Sequence, residues 1–337
     1  MNLGATLVAS FLVTLVRPAT WPLALATFLL RGGLLLVIAP IVVIPSPIGL
    51  ANMIGPAITS FVFGGVSTWL LVLIVGAALV GLVWLVGGGL MAAAAEAEAV
   101  GLVASDEDVA GSPRSVVPDD RDLAPRILAA RLLAHVPTAG ALAWGLATIV
   151  SVTYRELTVP SDVTTPIGLR VIGGAPEAIG IIAATWILGQ IVGALAARRL
   201  VLAGDGVAAA LVGAGLRSVR HPLRVLTFEA VPLLALVAAL VPSFAAAATA
   251  LDVVRASLRG EAGPIPTLAS VALLVLIWLG GLTLAAVVSA WRAAVWTVDS
   301  TGTFGAPGDG REGDWNEAPS SGTLADLRSR GVDPETR

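Results

Sequence analysis

Residues 69–92, "WLLVLIVGAALVGLVWLVGGGLMA", run for 24 positions without a charged side chain. At the rise of an α-helix this run reaches about 36 Å, which is enough to cross a hydrocarbon core of about 30 Å. A transmembrane β-strand would be about ten residues long and would alternate apolar and polar positions. The stretch therefore predicts a membrane-spanning helix.

The rest of the chain has the same character. Of its 337 residues, 56% are hydrophobic and only 13% are charged, whereas soluble domains carry about 25% charged residues. A soluble core of this length cannot bury so much apolar surface. The composition predicts an all-α, polytopic integral membrane protein with interfacial amphipathic helices.

Six apolar runs are long enough to span. Proline should end the first at Pro45 and bend the third at Pro137, and the second should continue as a helix through residues 93–100. The predicted spans are about 23–44, 69–92, 132–154, 177–197, 223–241 and 267–295.

The chain divides into three predicted parts. Residues 1–20 place Asn2, Thr6, Ser10 and Thr14 four apart, a polar stripe typical of a helix at the membrane interface. A cleaved signal peptide is the alternative. The six-span domain then covers 21–299. The tail at 300–337, rich in Gly, Ser and charge, should be disordered.

The connections between spans differ in kind. Residues 46–67 carry no charge, so we expect a re-entrant or interfacial segment. Residues 104–125 are acidic and rich in Pro and Ser, which predicts a mobile cytoplasmic loop. Residues 204–222 predict a cytoplasmic amphipathic helix.

Arginine placement predicts the orientation. All 20 basic residues are arginine. With the N-terminus inside, and Arg31 set aside, 15 of them fall in inner segments and 4 in outer segments. The positive-inside rule thus predicts a multi-pass protein of the cell (inner) membrane with both termini cytoplasmic.

Motifs for catalysis are missing from the sequence. The chain has no cysteine and two histidines, neither of them in an H-E-x-x-H pattern, and it has no P-loop and no G-x-S-x-G. We expect no enzymatic activity, no catalytic residue, no cofactor and no metal. The net charge of −3 is matched by the acidic tail, where 7 acids face 4 arginines, so no nucleic-acid partner is expected.

Five polar side chains fall in the inner half of the predicted spans. Ionisable groups at such depth are candidate functional sites. We hypothesise that Arg31 and Glu229 pair and floor a cavity open to the cytoplasm. The alternative is that Arg31 reaches the headgroups and that Glu229 bonds to Arg224 or to a backbone amide. The predicted cluster is Arg31, His135, Gln190, Glu229 and Arg292.

Arg217, Arg220 and Arg224 share one helical face within residues 204–224, "GDGVAAALVGAGLRSVRHPLR". Such a face can attract anionic lipid headgroups. The longer stretch "AALVGAGLRSVRHPLRVLTFEAVPLL" resembles the repeating unit of the six-span membrane region of some glycerophosphodiester phosphodiesterases and of related bacterial membrane proteins. The matching stretch brings no catalytic residues with it, so the resemblance implies the architecture and we expect no phosphodiesterase activity.

Two functions are compatible with these features. The first is a non-enzymatic membrane protein that contacts lipids or serves as the membrane subunit of an assembly, with membrane lipids and partner subunits as its partners. The alternative is a small-substrate transporter or permease component with a cytoplasm-facing polar cavity. A transporter should be hollow around Arg31 and Glu229, whereas a scaffold should be packed there.

Overall fold

The computed structural model describes residues 2–38, 68–105 and 122–304, apart from 163, 166 and 262. Every regular element in these residues is a helix. In chain order they are α1 Leu3–Val16, α2 Thr20–Phe28, α3 Leu34–Ile38, α4 Thr68–Val83, α5 Gly89–Ala104, α6 Leu123–Ala134, α7 Val136–Thr158, α8 Ile167–Gly174, α9 Pro176–Leu202, α10 Val207–Arg220, α11 Pro222–Ala256 and α12 Pro264–Phe304.

The prediction of an all-α polytopic membrane protein is confirmed. Five helices are long and apolar enough to cross a membrane, and a sixth span exists if the pair Leu3–Val16 and Thr20–Gly33, bent by 107°, counts as one. The five are Leu71–Ala104, Val136–Thr158, Pro176–Leu202, Pro222–Arg259 and Pro264–Thr301. The predicted segment 46–67, most of the loop 104–125 and the tail beyond 304 lie outside the described residues.

The first predicted span is broken at Arg31 and Gly32. Gly32 adopts φ +106°, a left-handed conformation, between α2 and α3. A break inside a membrane frees backbone groups that need new partners. The Trp84 indole N–H donates to the Leu30 carbonyl at 3.0 Å and so supplies one of them. The break is therefore stabilised by a contact with another helical segment, and the chain changes direction at Arg31.

Replacing Gly32 by alanine should cost about 1–2 kcal/mol, because a Cβ strains the left-handed conformation. An added Cβ there would meet no atom within 4 Å, so the cost is conformational and not steric. Gly140, inside α7, also has open space around it, and Gly140→Ala should stabilise slightly through helix propensity. Unfolding of the two variants by sodium dodecyl sulfate titration in mixed micelles measures this difference. Equal stabilities would contradict the assigned break.

Helix α1 presents its polar stripe to the protein and not to water. Thr6, Ser10 and Thr14 are buried, and the Trp291 indole of α12 donates to the Leu7 carbonyl at 3.1 Å. Val8, on the opposite side, is exposed. Thr6, Ser10 and Thr14 of the polar stripe thus share one face of α1, and that face packs against the protein. The position of residues 1–20 at the membrane interface stays a prediction.

The third span begins at residue 136 and not at 132. Helix α6 ends at Ala134, and α7 starts with Pro137 in its first turn, where proline costs no hydrogen bond. Proline therefore starts a new helix instead of bending one. Helix α6 packs closely on α9. Arg131 of α6 lies so near Gly193 of α9 that a Cβ added at Gly193 would be 2.9 Å from the Arg131 side chain.

The last two spans are longer than their apolar runs. Helix α11 continues past the predicted end at 241 to Ala256, with Pro232 and Pro242 inside it. Helix α12 continues to Phe304, past the predicted start of the tail at 300. The two helices pack along each other. Both helices line the site described below.

A polar anchor outside that site fixes the link between α7 and α8. The Glu156 carboxylate is buried and accepts from the Ser161 backbone N–H at 3.0 Å and from Arg170 at 3.1 Å. In the link itself, hydrogen bonds from the Thr165 hydroxyl and from Thr164 lower the pKa of Asp162 to about 2. These contacts hold the α7–α8 hairpin in place.

Candidate functional site: an arginine-rich cavity

One carboxylate, Glu96 of α5, lies at the centre of the site. Its Oε2 accepts from Arg31 at 2.5 Å, and its Oε1 accepts from both Arg131 and Arg198. The Glu96 side chain is buried. A buried carboxylate is tolerated only when it is paired and hydrogen-bonded. The three guanidinium groups meet this requirement.

The three arginines come from three separate helical segments. Arg31 lies at the break after α2, Arg131 in the last turn of α6, and Arg198 near the end of α9. Arg198 is 2% exposed and also donates to the carbonyls of Ala194 and Ala293, both at 3.2 Å. Glu96 thus joins four segments of the bundle.

A second ion pair lies beside the first. Arg292 of α12 contacts Glu229 of α11 through two nitrogens, with Nε 3.3 Å from Oε2. Glu229 is buried, whereas the Arg292 side chain is 24% exposed. The pair links the two long helices, and its guanidinium lines a cavity that Arg31 also lines.

The hypothesis of an Arg31–Glu229 pair is wrong. Arg31 pairs with Glu96, and Glu229 pairs with Arg292. Both predicted residues do take a charged partner in the same site. The alternative, in which Glu229 bonds to Arg224 or to a backbone amide, also named the wrong partner.

The cavity has a volume of about 580 Å³, within the range of about 300–1,000 Å³ found for ligand sites. On α9 its lining positions recur every four residues, at Trp186, Gln190, Ala194 and Arg198. This spacing places them on one helical face. Helices α2, α5, α6, α11 and α12 supply the remaining wall.

The wall changes character along the cavity. Glu96 and the four lining arginines supply its charged groups. On α11 the lining residues begin one turn beyond Glu229, the partner of Arg292, and continue away from it to Leu240 as an apolar stripe. The charged groups define the arginine end of the cavity, and the stripe defines its apolar end. The four arginines are Arg31, Arg131, Arg198 and Arg292. The apolar stripe consists of Leu233, Leu236, Val237 and Leu240.

The site carries excess positive charge. Four guanidinium groups line it, and two carboxylates, Glu96 and Glu229, pair with them. Arginine keeps its charge in proteins, so four positive charges stand against two negative ones. An anion in the cavity would complete the balance.

Gln190 and His135 take different positions in the site. Gln190 lines the cavity, whereas His135 lies behind it with Nε2 3.2 Å from the Gln190 amide nitrogen. His135 Nδ1 lies 2.8 Å from the Arg131 carbonyl. Since a carbonyl only accepts, Nδ1 donates and Nε2 accepts from Gln190. His135 thus orients a lining side chain without forming part of the lining.

The arginines predicted to face lipid headgroups also have a partner inside the protein, which the sequence did not predict. Arg217 and Arg224 each pair with Asp299 of α12 at 2.5 Å. Asp299 is buried, and Arg220 is exposed. Two of the three arginines thus dock α10 and α11 onto α12, so any contact that they make with headgroups adds to an internal role.

Four charged residues of these clusters escaped the sequence analysis: Glu96, Arg131, Arg198 and Asp299. The signal for Glu96 was present, because it interrupts an alanine run that the prediction already treated as a continued helix. Alanines on such a helix allow close packing, so a carboxylate on its packed face needs a buried partner. Glu96 lies on that face, whereas Glu98 is exposed. Arg198 and Arg131 were counted only as inner-side charges.

No family model matches this chain, and comparisons with curated proteins and with solved structures give no match. The resemblance to the membrane region of glycerophosphodiester phosphodiesterases therefore stays a prediction. Within the described residues, no three His, Asp or Glu side chains lie close enough to hold a metal ion.

Proposed function

We propose that this membrane protein binds a small anionic ligand in the arginine-rich cavity, as a transporter or permease component does. The observation that carries the proposal is the cavity itself, which is lined by four arginines and by Glu96. Glu229 pairs with Arg292 and is not among the lining residues. A protein acting only as a scaffold would be packed at this position.

The electrostatics support an anion over a cation. A charge inside a membrane is costly unless it is paired or reaches water, so the arginine excess needs either water or an anion. Guanidinium groups carry five N–H donors each, and a group that already pairs with a carboxylate still has donors for phosphate or carboxylate oxygens. Arginine is also the side chain that favours such bidentate recognition.

The arginine asymmetry of the chain supports a site in the cytoplasmic half of the membrane. Arg198 and Arg199, adjacent at the end of α9, belong to the predicted inner set. The charged groups among the described lining residues are four arginines and Glu96, which are binding groups, and the role that we propose is non-enzymatic. Partner subunits and membrane lipids remain its proposed partners.

Because the chain contains no cysteine, a single introduced thiol can report on the cavity. Ser289 lines it, and Ser289→Cys is nearly isosteric. We expect an anionic methanethiosulfonate, the sulfonatoethyl reagent, to modify this thiol at least tenfold faster than the cationic trimethylammonium reagent. The excess positive potential concentrates anions by such factors. The rates are measured by mass spectrometry.

The matched control is Val159→Cys, on the exposed link after α7, which gives the intrinsic rate ratio of the two reagents. Neutralising Arg31, which lines the cavity, should lower the rate ratio of the Ser289→Cys thiol. Neutralising the exposed Arg220, which is not among the lining residues, should leave it unchanged. A thiol at position 289 that reacts with neither reagent, or that prefers the cation, would refute the proposal.

A further inference from the structure

We infer that the ligand is an anionic amphiphile, a phosphate monoester with an alkyl or acyl chain. This inference rests on the proposed function and specifies its substrate class. The phosphate would lie at the arginine end of the cavity and the chain along the apolar stripe of α11, defined above as Leu233, Leu236, Val237 and Leu240.

At the arginine end of the cavity, the most accessible guanidinium groups can bind the phosphate. The Arg31 and Arg292 side chains are 26% and 24% exposed, whereas Arg131 and Arg198 are more deeply buried. Arg31 and Arg292 are therefore the direct ligands, and the inner two reinforce the potential. Two guanidinium groups on separate helices match a phosphate dianion in charge and in number of acceptors.

The apolar end is suited to a chain. The four stripe residues follow the spacing i, i+3, i+4, i+7, which defines one face of α11. From the first to the last they rise by seven residue steps, about 10 Å along the helix. Trp186 of α9 lines the same cavity. An inorganic anion alone would leave this wall unused.

We place the entry of the chain from the bilayer at the same end. Within the described residues, α9 and α11 make almost no contact with each other although both line the cavity. Trp186 and Val237 are 40% and 49% exposed. A lipid-like molecule can thus pass its chain between α9 and α11 while its head stays with the arginines.

The test uses the Ser289→Cys protein in nanodiscs of phosphatidylcholine and measures protection of the thiol from the sulfonatoethyl reagent. Inorganic phosphate, ethyl phosphate and octyl phosphate are added below micellar concentrations, and free concentrations are measured by dialysis. We expect octyl phosphate to protect at a concentration about 50-fold lower than ethyl phosphate. This corresponds to about twofold per methylene, below the limit for complete burial.

Two variants assign this chain-length effect to the cavity. Val237→Trp fills the apolar end and should reduce the ratio of octyl to ethyl phosphate at least tenfold, with inorganic phosphate unaffected. Leu234→Trp, on the outward face of the same helix, should leave the ratio unchanged.

A separate experiment replaces part of the phosphatidylcholine in the nanodiscs by phosphatidic acid, with no phosphate added. Protection there identifies a membrane lipid as the source, and protection by octyl phosphate alone identifies a water-soluble amphiphile.

The failures of the two proposals are distinguishable. Equal protection by ethyl and octyl phosphate would overturn the amphiphile and leave anion binding intact. Absence of protection by every phosphate, including inorganic phosphate, would overturn the proposed function as well. A chain-length effect that persists in Val237→Trp and in Arg31→Gln would place the chain outside the cavity and would refute the inference.

Discussion

Replacing Glu96 by glutamine should destabilise the protein by about 3–5 kcal/mol, the cost of removing one partner from a buried ion pair. The effect should be the largest of any single conservative substitution here, because Glu96 accepts from three arginines at once. Without the carboxylate, Arg131 and Arg198 would repel each other in a buried position. Reversible unfolding by sodium dodecyl sulfate in mixed micelles measures the loss.

Glu98 provides the matched control, since it lies two residues away on α5 and is exposed. Glu98→Gln should change the free energy of unfolding by less than about 0.5 kcal/mol. If Glu96→Gln does not accumulate as folded protein, Glu96→Asp keeps the charge and should recover part of the yield. Equal stability of the Glu96 and Glu98 glutamine variants would contradict the assigned network.

The second large effect concerns the pair of Glu229 and Arg292. Glu229→Gln and Arg292→Gln should each cost about 3 kcal/mol, because each leaves one charge of the pair without its partner. The double variant should cost less than the sum of the two, with a coupling energy of at least about 1 kcal/mol. The same unfolding titration, applied to all four proteins, completes the double-mutant cycle.

Charge reversal gives the sharper control. Exchanging the charges of Glu229 and Arg292 should restore part of the stability lost in either single reversal. Exchanging those of Arg31 and Glu229 should restore none, because Arg31 faces Glu96. Rescue in the second exchange, or additive costs in the cycle, would show that the ion pairs are assigned to the wrong partners.

The fold was predictable because lipid leaves few alternatives. A long uncharged run such as 69–92 can satisfy its backbone in a bilayer only as a helix, so length and charge alone identified the spans. Their ends were less predictable. Helix α12 continues past its apolar run through Asp299, which pairs with Arg217 and Arg224. Helix α11 continues past residue 241 with Ala247, Ala250 and Val254 buried. These are tertiary contacts that no local pattern reveals.

The site was predictable only in part, because its central carboxylate, Glu96, and two of its arginines, Arg131 and Arg198, were not selected. Spacing along a helix gives the depth of a side chain, and depth alone led to Arg31, Gln190, Glu229 and Arg292. Of these, Arg31, Gln190 and Arg292 line the cavity, and Glu229 pairs with Arg292. Depth does not give the rotation of a helix about its axis or the order of helices around the bundle. Those two quantities decide that Arg31 faces Glu96 and not Glu229, and they depend on packing over the whole chain.

The Glu96 network also constrains how the protein is made. Arg31 precedes Glu96 by 65 residues, Arg131 follows it by 35, and Arg198 follows it by 102. Synthesis runs from the N-terminus, so Arg31 enters the membrane well before its counter-charge exists. The network is complete only after α9 has been inserted. Biogenesis of the N-terminal half thus depends on a residue translated late.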